Sequence, residues 1–476
     1  MLFTSLEFLL LFLPLCLGVY YLLPPRWGLR NYWLLAMSLG FYAWGEPSFV
    51  FVMLGSIAFN YMMAVFVSWT RTKKNTALAL LVVAIAGNLA ILGVWKYANF
   101  VTATLREWIP IWQGAIPQTS FVLPIGISFF TFQAMSYVVD VYRGTVVVQK
   151  NPFYLALYIA LFPQLIAGPI VRYSTVCAEI ERRRTTMDDF TSGVMRFLAG
   201  FAKKMLLANT LAAAADKAFA LASPSVGSAW LGAICYTFQI FFDFSGYSDM
   251  AIGLGRMFGF HFEENFNYPY VAKTVTEFWR RWHISLSSWF RDYVYFPMGG
   301  SRVCRVRLLF NLAVVWFLTG VWHGANWTFI LWGSLYGVII MGEKLLDVPK
   351  RAEMFFRWRM VCQPLTILAV IVGWVLFRSI DLPQAGHFLE AMFGVGNAPF
   401  FDDVFCFEAY EVRWLLAAAV FFSMPILPWV RNRLAARPRG LVVLEALEGL
   451  LLIGLFVVGV SSLAMNAHNP FIYFNF

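Results

Sequence analysis

Charged residues are scarce in this chain, at 13% of its 476 residues, whereas soluble globular proteins average about 25%. Cysteine and histidine are also scarce, with six and five copies. The cysteines are scattered and lack the paired spacing of a zinc site, so we expect free thiols and no bound metal. We find no nucleic-acid-binding motif, and we expect the net charge of +10 to come from loops that face anionic lipid.

Apolar residues are abundant instead, at 60% of the chain, and the mean hydropathy is +0.67. Apolar runs recur from the first residues to the last, which predicts an all-α, polytopic integral membrane helical bundle of about ten to twelve membrane helices. We expect one membrane domain over residues 1–476, with a core at about 121–345. The predicted spans are 3–23, 31–46, 48–69, 76–95, 121–142, 152–171, 228–256, 308–321, 327–345, 363–379, 412–430 and 441–462.

Basic residues predict the orientation of these spans. No basic residue precedes the first span, whereas Arg26 and Arg30 follow it, so we expect the N-terminus outside. The first span lacks a basic leader and a cleavage site, which favours a retained helix. Arginine clusters at 182–184 and 431–439 indicate cytoplasmic loops. The C-terminal tail, 463–476, is then extracytoplasmic, and the protein is expected in the cytoplasmic (inner) membrane.

Two segments do not fit a simple span. Residues 261–306 are too polar for a lipid-facing helix and too aromatic for a solvated loop, which favours short or re-entrant helices buried in the protein. Residues 190–221 have a helical pattern but carry three lysines, so they form either a short span or an interfacial helix. A buried polar centre is typical of a membrane protein that binds or passes a substrate.

His323 lies between two strongly apolar stretches, in the run Thr319-Gly-Val-Trp-His-Gly-Ala-Asn-Trp327. An imidazole at membrane depth is costly without a partner, and histidine exchanges protons near neutral pH. Trp322 and Asn326 supply hydrogen-bonding groups beside it. The residues therefore indicate a ligand site, although an interhelical hydrogen bond is the simpler alternative.

Other polar residues have two possible explanations. Asp243 and Asp249 lie within an apolar segment, six residues and about 120° apart on a helix. They either bond to a neighbouring helix or an arginine, or orient a catalytic group or line a polar channel. The tryptophans and arginines of Trp279-Arg-Arg-Trp-His283 are residue types that anchor helices at a membrane interface, but His283 is not explained in this way.

These motifs together resemble the membrane-bound O-acyltransferase family. The resemblance covers nearly the whole chain and is weakest over about 345–440. The matching motifs are Leu123-Pro-Ile-Gly-Ile-Ser128, Leu165-Ile-Ala-Gly-Pro169, Phe242-Asp-Phe-Ser-Gly-Tyr-Ser-Asp-Met-Ala-Ile-Gly253, Glu264-Asn-Phe-Asn267, Thr276-Glu-Phe-Trp-Arg-Arg-Trp-His-Ile-Ser-Leu-Ser287, Arg291-Asp-Tyr293 and Gly320-Val-Trp-His-Gly-Ala-Asn326.

The resemblance implies transfer of an acyl group from a thioester donor on the cytoplasmic face to a hydroxyl. It implies His323 as the principal catalytic residue and His283 as a second one, with no metal. The residues that we expect to bind substrate are Trp322, Asn326, Asp243, Trp282 and Arg280. No cofactor is expected to stay bound, since acetyl-CoA or another acyl thioester would be a substrate. The expected partners are membrane lipid and an extracytoplasmic SGNH-hydrolase-like acetyltransferase.

The C-terminal run Phe471-Ile-Tyr-Phe-Asn-Phe476 resembles the ending of the small helper peptide of D-alanyl transfer systems. This resemblance implies Tyr473 as an acyl relay, because a phenolic ester is activated enough to pass its acyl group on. An aromatic residue at the membrane interface is the alternative.

The expected function is O-acetylation of an extracytoplasmic polysaccharide, such as an alginate-like exopolysaccharide or peptidoglycan. One alternative is transfer of D-alanine or another acyl group from a carrier protein to an envelope polymer. An alternative of another class is a transporter with His323 as a proton relay. Transporters often contain two related halves, and we detect no such repeat.

Overall fold

A computed structural model of the chain describes residues 1–476 except 27, 113, 167, 397, 466–471 and 473–476. The described residues form helices joined by turns, with no strand among them. This agrees with the predicted all-α class. A helix satisfies its own backbone hydrogen bonds, which is required where lipid replaces water.

The chain folds into two compact units, and two helices run through both of them. The first unit comprises residues 1–197 and 250–263, and the second comprises 198–249 and 264–476. The helices that belong to both units are Met187–Ala202 and Val226–Met257, and we name the latter the long helix.

The other helices of the first unit are Phe8–Phe12, Leu13–Leu22, Leu29–Gly45, Val50–Trp69, Lys74–Leu92, Gly93–Tyr97, Ala98–Trp108, Pro110–Trp112, Ile127–Arg143, Pro152–Ala160, Phe162–Leu165 and Tyr173–Arg182. Those of the second unit are Lys203–Ala208, Asn209–Ala220, Pro269–Val271, Val275–Arg281, Ile284–Phe290, Arg291–Tyr295, Arg305–His323, Trp327–Leu345, Val348–Met354, Phe356–Arg378, Leu382–Met392, Asp403–Phe422, Ile426–Leu434 and Pro438–Ala464.

Five helical stretches of the described chain are long and apolar enough to cross a membrane, and the number rises to seven if each of two bent helix pairs is one span. This is fewer than the ten to twelve that the apolar runs predicted. Some of the predicted spans are short or broken. For example, the run 152–171 forms Pro152–Ala160 and Phe162–Leu165, because the backbone leaves the helical conformation at Leu161, with ψ 113°, and Pro163 lies at the start of the next helix. The protein is a multi-pass membrane protein.

The second unit has a core of aromatic side chains. Trp282, Trp332 and Trp374 are each at most 2% exposed, and the rings of Trp282 and Trp374 lie 4.8 Å apart. The segment 261–306 contributes Trp282 to this core through short helices, as the sequence predicted. Apolar burial and edge-to-face ring contacts both stabilise such a cluster.

The lysine-bearing segment 190–221 is helical as far as Ala220, and two of its lysines form ion pairs with the long helix. Lys203 Nζ lies 2.6 Å from Asp249 Oδ2, and Lys204 Nζ lies 2.6 Å from Asp243 Oδ1. The partners of the two buried carboxylates are therefore lysines of an adjacent helix. A buried charge needs such a partner, which explains why this segment is less apolar than a lipid-facing span.

Candidate active site

His323 is the last residue of the helix Arg305–His323, and its side chain is only 4% exposed. The rings of Trp332 and Phe377 lie 4.9 and 5.2 Å from the imidazole, centroid to centroid, and stand nearly perpendicular to it. Trp322 packs on it in the same way, at 4.9 Å. Aromatic edges and faces thus hold the imidazole in a largely apolar pocket.

Small residues allow the helix of His323 to pack tightly against the next helix, Trp327–Leu345. A Cβ atom added to Gly320 would lie 2.5 Å from the carbonyl oxygen of Phe329. A Cβ atom added to Gly324 would lie 2.2 Å from the ring of Phe329. Both glycines are therefore required by the close approach of the two helices, which fixes the backbone on either side of His323.

Asn326 caps the second of these helices. Its Oδ1 accepts a hydrogen bond from the backbone N–H of Thr328 at 3.1 Å, and its Nδ2 donates to the carbonyl oxygen of Ile380 at 2.6 Å. The side chain satisfies an N–H at the helix start that has no partner within the helix. It also ties the turn after His323 to the segment that follows Phe356–Arg378.

His283 is 1% exposed and precedes the short helix Ile284–Phe290, with a left-handed backbone at φ 46° and ψ 55°. The backbone of a residue other than glycine is strained in this conformation, and such strain concentrates at functional sites. The ring of Phe244 packs edge-on against the imidazole at 4.7 Å. His283 therefore has both a fixed backbone and a fixed ring.

Asn265 sets the tautomer of His283. Its Oδ1 lies 3.1 Å from Nδ1 of His283 and also accepts from the backbone N–H and the hydroxyl of Ser285. Since an amide oxygen can only accept, Nδ1 of His283 carries the proton and Nε2 keeps its lone pair. His283 lies outside the candidate membrane spans, and burial lowers its pKa to about 3, so the imidazole is neutral.

Glu343 was not predicted as a site residue, yet it supports this region from the helix Trp327–Leu345. Its carboxylate accepts from the backbone N–H groups of Val275 and Thr276, at 2.7 and 2.8 Å, and from the Thr276 hydroxyl at 2.6 Å. A carboxylate at a helix start satisfies free N–H groups and interacts favourably with the helix dipole. Glu343 thereby fixes Val275–Arg281, the helix just before His283.

Two cavities border this arrangement. The first cavity has a volume of about 200 Å³, and its lining includes His283, Arg280, Arg291, Ser287 and Trp316. It is mostly apolar but carries two guanidinium groups, of which that of Arg291 pairs with Asp292 at 2.7 Å. Such a lining suits a ligand with a long apolar part and an anionic end.

The second cavity has a volume of about 330 Å³, and its lining includes Asn326, Gln239, Tyr236, Arg378, Asp216 and Ile472. Phe377, which packs on His323, also lines it. Arg378 and Asp216 form an ion pair across 2.6 Å. This cavity is more polar than the first, and it approaches His323 through Phe377.

The structure brings His323 and His283 together around one ring. The centroid of Trp322 lies 4.9 Å from that of His323 and 5.9 Å from that of His283. Of the other predicted residues, Arg280 lines the first cavity and Asn326 the second. Trp282 packs in the aromatic core and Asp243 pairs with Lys204, while Tyr473 lies outside the described residues.

Several supporting residues were missed in the sequence, and their signals differ. Asn265 belongs to a motif that matched the family, so its side chain could have been assigned a role. Glu343 and Lys204 gave a weaker signal, since each is one of two adjacent charged residues, Glu343-Lys344 and Lys203-Lys204. Nothing in the sequence places Arg378 beside Asp216, because 162 positions separate them.

Comparison with known proteins agrees with the geometry. Residues 145–380 match the membrane-bound O-acyltransferase (MBOAT) family profile. The chain is 40% identical to "Probable alginate O-acetylase AlgI" of Azotobacter vinelandii over 507 aligned positions, which cover 100% of both chains. The chain belongs to the membrane-bound O-acyltransferase family.

Two further relatives indicate what members of this family act on. This membrane-bound O-acyltransferase is 45% identical over 399 residues to "Probable alginate O-acetylase AlgI" of Pseudomonas aeruginosa, covering 83% of this chain and 76% of that one. It is 34% identical over 430 residues to "Peptidoglycan O-acetyltransferase" of Helicobacter pylori, covering 83% and 80%. The protein is thus an O-acyltransferase, and its relatives support acyl transfer to cell-envelope polymers.

Proposed function

We propose that this membrane-bound O-acyltransferase transfers an acetyl group from a cytoplasmic thioester, such as acetyl-CoA, to an extracytoplasmic polysaccharide. The observation that carries the proposal is the pair of cavities beside two buried histidines that share Trp322. We propose that the donor enters one of these cavities and the acceptor the other. Relatives named for alginate and peptidoglycan O-acetylation support the acetyl group and the polysaccharide class.

The first cavity is the proposed donor site. The guanidinium groups of Arg280 and Arg291 suit the phosphates of an acyl-CoA, and the apolar wall suits its extended arm. His283 lies at this cavity with a neutral imidazole, and Nε2 is free of hydrogen bonds to described residues. His283 is proposed to position the thioester group of the donor.

His323 is the proposed general base. It removes the proton of the acceptor hydroxyl as the oxygen attacks the thioester carbonyl, and the thiol leaves with a proton. Trp322 and Trp282 are proposed to shape the substrate site, while Asn326 holds the turn beside it. Asp243 is proposed to contribute to the substrate site indirectly, because its carboxylate accepts a hydrogen bond from the backbone N–H of Ile472.

Tyr473 is the proposed first acceptor. Its phenol would attack the thioester, release the thiol and form a phenolic ester, which then passes its acetyl group to a hydroxyl on an SGNH-hydrolase-like partner. The neighbouring residue Ile472 lines the second cavity, which supports this role. The relay requires an extracytoplasmic C-terminus, and the apolar helix Pro438–Ala464 precedes it, after the arginines at 431–439.

The experiment is ester analysis of envelope polysaccharides from wild type, a deletion strain, and the deletion strain complemented with His323→Ala or Tyr473→Phe. We expect O-acetyl esters to be lost in the deletion strain and in both variants. Unchanged O-acetyl content with His323→Ala would contradict the proposal, and unchanged content with Tyr473→Phe would exclude the relay alone. Loss of D-alanyl esters in place of acetyl esters would identify the donor group as D-alanine.

A further inference from the structure

The carboxylate of Asp243 contacts two different parts of the second unit. The side chain is buried, at 1% exposed, in the middle of the long helix. Its Oδ1 lies 2.6 Å from Nζ of Lys204, which is also buried. Its Oδ2 accepts a hydrogen bond from the backbone N–H of Ile472, at 2.9 Å.

The two contacts have different physical roles. Lys204 neutralises a carboxylate that would otherwise be costly to bury. A buried ion pair adds little to stability compared with apolar residues of the same volume, but it holds its oxygens in a defined place. The hydrogen bond to Ile472 uses a backbone N–H, so it fixes the position of the chain and does not depend on the side chain at 472. A hydrogen bond from an N–H to a carboxylate is also stronger than one to a neutral acceptor.

Ile472 itself is well placed for a positioning role. Its side chain is 6% exposed, belongs to the aromatic core of the second unit and lines the second cavity with Asn326 and Arg378.

We propose that Asp243, held by Lys204, is a positioning residue that seats Ile472 at the second cavity by binding its backbone N–H. Ile472 is thereby a fixed part of the acceptor site, and the catalytic consequence of this seating rests on the proposed relay at Tyr473. Asp243 acts through the tail and needs no contact with the acyl group.

The test measures tail seating separately from acyl transfer. The purified full-length protein in detergent is exposed to proteinase K, and loss of C-terminal residues is followed by intact-protein mass spectrometry. Ile472→Pro removes the N–H, because proline has none, and Ile472→Val keeps it as the control. Asp243→Asn removes the negative charge of the acceptor in the hydrogen bond from the Ile472 N–H.

We expect Ile472→Pro and Asp243→Asn to lose their C-terminal residues about tenfold faster than wild type, which corresponds to about 1.4 kcal/mol. Ile472→Val should match wild type. Equal protection of wild type and Ile472→Pro would overturn the seating. Because Ile472→Pro changes only the tail, this result is interpretable even if Asp243→Asn fails to fold.

The same variants separate the seating from the relay. If the tail is released in Ile472→Pro and O-acetylation in cells also falls, both proposals are supported. If the tail is released but O-acetylation is unchanged, the relay at Tyr473 is wrong while the seating by Asp243 stands.

Discussion

The tautomer of His283 depends on one neighbour, Asn265. In the native protein the amide oxygen binds the Nδ1 proton, and burial keeps the imidazole neutral, with its pKa lowered to about 3. The charge of this ring therefore does not change across the physiological pH range. Its orientation and tautomer come from the neighbour, while its protonation comes from the apolar surroundings.

Replacing Asn265 with aspartate should create a new pH dependence. A carboxylate beside His283 stabilises the imidazolium, so the pKa of His283 rises. If donor positioning needs the neutral ring, acyl transfer by Asn265→Asp falls as the pH decreases through the raised pKa, whereas wild type shows no such fall from this group. The measurement is the transfer rate against pH. Asn267→Asp, at an exposed position two residues away, should keep the wild-type profile.

His323 should be required for turnover without being required for folding. A general base contributes about 10²- to 10⁴-fold to the rate, so His323→Ala should lower transfer by at least about 100-fold. The matched control is His387→Ala, since His387 is exposed and its Nε2 hydrogen-bonds the loop carbonyl oxygen of Ala222. Comparable loss in both variants, or full activity of His323→Ala, would contradict the assignment.

At the scale of helices, close packing at Gly320 holds the active-site turn. Gly320→Ala should lower the thermal unfolding midpoint. The new Cβ atom would lie 2.5 Å from the Phe329 carbonyl oxygen, so the helices Arg305–His323 and Trp327–Leu345 must separate. The control is Gly342→Ala in the second of these helices, where a Cβ atom meets nothing within 4 Å. That change should be neutral or slightly stabilising, since alanine favours a helix over glycine. Equal midpoints for the two variants would exclude the packing argument.

Glu343 should affect donor binding through the short helix that it caps. Glu343→Ala leaves the N–H groups of Val275 and Thr276 without the carboxylate, which costs about 1–3 kcal/mol for each buried group left unpaired. We expect a higher KM for acyl-CoA, because Arg280 and His283 follow this helix start. Glu353→Ala, at an exposed position, is the control for measurements of unfolding and KM. An unchanged KM with Glu343→Ala would show that the cap is only structural.

At the scale of the whole molecule, the positions of basic residues predict the orientation in the membrane. Arginines cluster at 431–439, before and at the start of the apolar helix Pro438–Ala464, so this helix should carry the chain from the cytoplasm to the outside. Alkaline phosphatase fused after residue 476 should be active, and the same reporter fused after Arg437 should be inactive. The reverse pattern would also exclude an outer-face relay at Tyr473.

The sequence predicted helix positions well where a run of apolar residues decides them. Trp327–Leu345 was predicted with the observed bounds, and Val226–Met257 within two residues at its start and one at its end. The sequence also identified the family through its motifs, and it singled out the two histidines that pack against Trp322 in the structure. It overestimated the number of full spans, because an apolar run does not show where a helix breaks. At 161–163 the helix breaks because Leu161 has a non-helical backbone and Pro163 follows it. Elsewhere, packing against neighbouring helices determines where a helix ends.

The sequence alone determined that this protein is a helical membrane-bound O-acyltransferase, since helix formation in lipid depends on local hydrogen bonds and hydropathy. Only the tertiary structure decided which polar residues meet. Lys204 binds Asp243, Glu343 caps Val275–Arg281, and Asn265 fixes His283. These pairs are 18 to 68 positions or so apart along the chain, and they form because buried charges and amides must find partners in whichever helix packs beside them.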